Sequence, residues 1–103
     1  MQNKVKEFND LKECHKKPMS VHARLLDIQS EMGELAKEYL KSSKYGTNDF
    51  SVTEDFKEEF GDVFYAILSL ANELEINVEE CVDVSLNKMK VRMEKKGTLG
   101  SGR

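Results

Sequence analysis

A chain of 103 residues has room for one domain and its core, but not for two. With 39% apolar and 34% charged residues it is too rich in Leu, Val, Phe and Ile to be disordered, and no apolar run nears the roughly 18 residues that cross a bilayer. The net charge of −3 conceals an acidic middle and a short basic end, a poor fit to nucleic acid because an acidic domain repels phosphates without metal.

Residues 25–85 carry fifteen acids and four bases, whereas residues 86–103 carry six bases against Glu94. Two isolated cysteines, Cys14 and Cys81, and no signal peptide suggest reduced thiols and a cytoplasmic protein.

The first predicted helix covers about residues 2–14. Val5, Phe8 and Leu11 give it a weak apolar face, and Pro18 is placed to open the next helix. The second runs from about 19 to 42. Its Leu25, Ile28, Met32, Leu35 and Tyr39 form one apolar stripe. A polar, turn-rich loop follows at residues 42–49.

The third helix spans about 52–74, with Ser51 and Glu54 as a candidate capping box. Phe56, Phe60, Val63, Phe64, Ile67, Leu70, Ala71 and Leu74 make it the expected centre of the core. Asn77 with Glu80 offers a cap for a fourth helix, which runs to about residue 94. We therefore expect an all-α, four-helix antiparallel bundle-like domain over residues 1–96, its core completed by oligomerisation, and a flexible tail over 97–103.

Two acidic rows flank the apolar stripes. Asp27, Glu31, Glu34 and Glu38 lie on the second helix, and Asp55, Glu59 and Asp62 on the third. Each row is rotated from its stripe by about 100° in the same sense. In an antiparallel hairpin, which the short connecting loop favours, both rows fall on one edge. Converging carboxylates repel one another unless a cation intervenes, and oxygen-only ligands suit Mg²⁺ or, as a substitute, Mn²⁺. Neither row has a Glu-x-x-His pair for a di-iron site, and His15 and His22 lie outside both. Spacing alone leaves two readings open, a solvated acidic face and a cation site.

Glu31-Met-Gly-Glu34, followed by Glu58-Glu59-Phe-Gly-Asp62, resembles the ExxE and ExxD signature of MazG-like nucleotide pyrophosphohydrolases. Lys88-Met-Lys-Val-Arg92 is similar to the Lys-x-x-x-Arg of that family's last helix. The resemblance covers about residues 20–96. It implies hydrolysis of a (deoxy)nucleoside triphosphate to monophosphate and pyrophosphate, in nucleotide-pool house-cleaning, by a homodimer or dimer of dimers with its site near a subunit interface. It also implies Mg²⁺ ligation by Glu31, Glu34, Glu59 and Asp62, and phosphate contacts from Lys88 and Arg92. Glu31 or Glu34 is the first candidate for accepting the proton of the attacking water, with Glu38 and Glu58 in reserve. Tyr65 reads as packing, and the absence of Trp leaves base preference open. Phosphoribosyl-ATP pyrophosphohydrolase and a non-catalytic helical interaction module are the competing readings.

Overall fold

A computed structural model describes residues 1–13 and 19–96, and consists over them of four helices: α1 (Gln2–Glu13), α2 (Val21–Ser42), α3 (Glu54–Glu73) and α4 (Val78–Lys96). The fold is all-α, as expected. Cys14, His15, Pro18 and the 97–103 tail lie outside the described residues. No described helix is long and apolar enough to cross a membrane.

The caps follow from short polar side chains. Ser20 Oγ accepts from the Ala23 amide at 3.1 Å and opens α2. The cap of α3 is Thr53, not Ser51: its hydroxyl accepts from the Phe56 amide at 3.0 Å, so the helix begins about two residues later than the apolar pattern suggests. Asn77 caps α4 as anticipated, accepting from the Glu80 amide at 3.0 Å.

The α2–α3 connection is built on Ser43, which is fully buried. Its hydroxyl donates to the Tyr39 carbonyl at 2.8 Å and accepts from the Gly46 amide at 3.0 Å. Lys44 and Tyr45 take the left-handed conformation, with φ of 49° and 59°. Such residues cost about 1 kcal/mol each and persist where neighbouring bonds fix them. The loop returns the chain so that α3 packs antiparallel on α2, and a ring chain Tyr39–Phe50–Phe56 closes that end with centroids 5.1 and 5.0 Å apart.

The core belongs to α3, whose Val63, Ala66, Leu68 and Ala71 are its buried apolar residues. The expected α2 stripe is only partly covered. Ile28 and Leu35 are half-buried, while Leu25 and Met32 remain exposed, as do Phe60 and Phe64 on α3. One hairpin covers one flank of each helix and leaves the other flank bare.

The apolar face expected of α1 does not anchor it: Phe8 and Leu11 are exposed, and the buried residue is Asn9. A polar seam docks α1 instead. Asn9 Nδ2 donates to Ser69 Oγ at 2.9 Å, the Tyr65 hydroxyl donates to Asn9 Oδ1, and Gln2 Nε2 donates to Asn72 Oδ1 at 3.0 Å. Gln2 Oε1 also accepts from the Val78 amide at 2.8 Å, which ties α1 to the start of α4. Tyr65 stacks edge-on against Phe8 at 5.9 Å, consistent with packing.

α4 buries none of its residues, and Val82, Val84, Leu86, Val91 and Met93 are exposed. The radius of gyration of 17.2 Å exceeds the roughly 13 Å of a compact chain this long, because α4 stands away from the hairpin.

Candidate metal centre

The antiparallel hairpin brings the two acidic rows to one edge. Oxygens of Glu31 on α2 and of Glu59 and Asp62 on α3 all lie within 4.8 Å of one another. Each helix places its carboxylates one position behind its apolar stripe, so the site is tight against the core; Glu31 and Glu59 are half-buried and Asp62 is exposed. Glu34, the fourth expected ligand, is outside this group of three. It sits one turn along α2, adds to the negative potential at Glu59, and lines a neighbouring cavity with it.

The electrostatic consequence is visible in both half-buried acids. Loss of water around Glu31, then the charges of Asp62, Asp27, Glu59 and Glu34, raise its carboxyl above the ordinary value of 4.5. Glu59 is raised in the same way, by desolvation first and then by Asp62, Glu34, Glu38 and Glu58. Asp27 and Glu38 thus act on the site from the ends of the α2 row.

The donor set fits a hard divalent cation. It offers several carboxylate oxygens, no sulfur and no imidazole, and its like charges are in the strain that a cation relieves. His22 is exposed and does not belong to the group.

A cavity of about 590 Å³ adjoins this cluster. Glu34, Glu38 and Glu59 form part of its wall, and Lys37, Lys41, Lys44, Leu40 and Tyr45 the rest. The sequence reading passed over these lysines. Lys37 and Lys41, four apart on α2 beside the acidic row, were the available signal, whereas Lys44 lies in the turn beyond the helix. Lys88 and Arg92 stand on α4, exposed and half-buried respectively, and do not line this cavity.

The family model described as MazG nucleotide pyrophosphohydrolase domain matches residues 19–96, which include both acidic rows and α4. The chain belongs to this family. It is also 38% identical over 88 residues to the "Uncharacterized protein YpjD" of Bacillus subtilis (strain 168), a match that covers 82% of this chain and 75% of that protein. No solved structure matches. Membership in the MazG family supports nucleotide pyrophosphohydrolase chemistry with a divalent metal.

Proposed function

We propose that this MazG-family protein is a magnesium-dependent pyrophosphohydrolase of nucleoside triphosphates that releases the monophosphate and pyrophosphate. The observation that carries this reading is the meeting of Glu31, Glu59 and Asp62 from two helices within 4.8 Å, in a chain whose family acts on nucleotides.

Glu31, Glu59 and Asp62 would hold the cation, with Glu34, one turn along α2, as the fourth ligand. Bound there, Mg²⁺ would neutralise phosphate oxygens and lower the pKa of a water. The chain's own residues orient that water and accept its proton, at the carboxylate of Glu31 or Glu34. Attack at the α-phosphorus forms a new P–O bond and breaks the bond to the β-phosphate oxygen, which leaves with the electron pair as pyrophosphate.

Lys88 and Arg92 lie one turn apart on α4, so both can face one anion. Because they do not line the cavity beside the carboxylates of their own chain, we place them in the site of a partner subunit within a homodimer or dimer of dimers. The exposed Leu25, Met32, Phe60 and Phe64 of the hairpin, together with the apolar residues of α4, support such an assembly.

The reading is tested with a panel of NTPs and dNTPs in Mg²⁺, and then in Mn²⁺, scoring pyrophosphate release. Turnover of at least one nucleotide, lost in EDTA, is expected; no turnover of any nucleotide with either metal would overturn it.

A further inference from the structure

The cavity beside the carboxylates has two chemically different parts. Glu34, Glu38 and Glu59 connect it to the cation cluster, and Lys37, Lys41 and Lys44 supply the opposite charge. We propose that these three lysines, in the same chain as the carboxylates, bind the polyphosphate chain of the substrate. The inference rests on the triphosphate hydrolase reading and adds residues to it.

Three observations carry it. First, about 590 Å³ lies within the range of small-ligand sites and is contiguous with the cluster through Glu59, which belongs to both. Second, the lysines are not consumed by the acids beside them. Among the described residues, none of their ammonium groups makes an ion pair within 4.0 Å, although Glu34 precedes Lys37 by three residues and Glu38 precedes Lys41 by three. Solvated helix faces elsewhere in the chain do pair at such spacings, as Lys6 does with Asp10 and Lys57 with Glu54.

Third, the charges suit a cation-bound polyphosphate. The three cavity carboxylates, with Glu31 and Asp62 of the cluster, outweigh the three ammoniums by two charges, which a divalent cation among the carboxylates offsets, so the positive charge that remains lies on the lysine side. A polyphosphate chain would then run from the cation side toward the lysines. Flexible lysines offer point charges with several donors each, which suits a chain of phosphate oxygens. Lys44 sits in the turn that the bonds of buried Ser43 hold.

Isothermal titration calorimetry of the full chain with inorganic tripolyphosphate, in the presence of Mg²⁺, reads this without turnover. The unaltered protein should bind. Lys37→Gln combined with Lys41→Gln should weaken binding about a hundredfold, at about tenfold for each charge-assisted contact, with the helical circular dichroism retained. Lys41→Gln alone should show about a tenfold loss. Lys57→Gln, outside the cavity, should bind as the unaltered protein does. No binding by the unaltered protein, equal binding by the double variant, or an equal loss in Lys57→Gln would each overturn the inference. Nucleotide turnover is scored separately: lysine-dependent binding without turnover of any nucleotide would remove the hydrolase reading and leave these lysines as an anion site, whereas turnover with unchanged KM in the double variant would do the reverse.

Discussion

Glu31 and Asp62 stand on different helices, yet their carboxylate oxygens approach within 4.8 Å, with Glu59 completing the group. Nothing local favours this. Like charges at such separation oppose folding, and the hairpin holds them together because the same registration buries Val63, Ala66 and Leu68 behind them. Several consequences can be measured.

Replacing Glu59 with Gln removes one charge from the cluster and keeps the shape of the side chain. Turnover should fall by at least about a hundredfold, as expected when a positioned charged group is lost from a catalytic site. The melting temperature without metal should stay the same or rise, because a repulsion is relieved. Unchanged turnover in a steady-state assay would remove Glu59 from the site.

The raised carboxyls of Glu31 and Glu59 set a pH dependence for the metal-free protein. Between the ordinary glutamate value and the raised one, the folded chain binds more protons than the unfolded chain, so stability falls as pH increases. This contribution is fully present below the ordinary value and is lost as pH rises through the raised one. Melting temperatures in EDTA from about pH 4 to 7 should show the fall. Glu31→Gln should make it shallower, and Mg²⁺ should raise the melting temperature most at the upper end. A slope that is identical in Glu31→Gln would contradict the assignment.

Asn9 is buried and bonded to both Ser69 and Tyr65. Asn9→Leu would leave the Ser69 and Tyr65 hydroxyls without this partner and should destabilise the fold by about 1–3 kcal/mol in urea denaturation. If α1 were held by its apolar residues instead, Phe8→Ala would cost more than Asn9→Leu.

Glu75 follows the C-cap of α3 at φ 56°, where glycine is the ordinary residue, while the Ile76 amide donates to the Ala71 carbonyl at 2.8 Å. Glu75→Gly should stabilise the fold by about 0.5–1 kcal/mol, the relief of the left-handed strain less the greater entropy of an unfolded glycine. A decrease in the denaturation midpoint would show that the Glu75 side chain matters more than its backbone.

The proposed assembly predicts a dimer or larger species in sedimentation velocity at micromolar concentration. Phe60→Asp should shift it toward monomer, since it places a charge on an exposed apolar flank. A monomer at all concentrations in the unaltered protein would overturn it.

Much of this was legible beforehand, for identifiable reasons. Helices with clear apolar periodicity appear where expected, and the shared rotation of the two acidic rows was sufficient to place Glu31, Glu59 and Asp62 on one edge. The seam under α1 was not legible, because Gln2, Asn9, Ser69 and Asn72 have no hydrophobic period and show themselves only when two helices meet. The Thr53 cap was missed in favour of Ser51 because both positions carry hydroxyls and only the backbone shows which one reaches an amide.

The sequence by itself determined the four helices and the two acidic rows, since each depends on residues three or four apart on one helix, and the short loop favoured the hairpin that sets the rows on one edge. The tertiary structure decided the rest. It separated the three carboxylates that converge from Glu34, which faces a cavity, and it set Lys37, Lys41 and Lys44 against the same wall. It also showed that α4, which carries Lys88 and Arg92, stands apart from the hairpin. Helical spacing fixes which face a side chain occupies, but which faces meet depends on packing between elements distant in the chain.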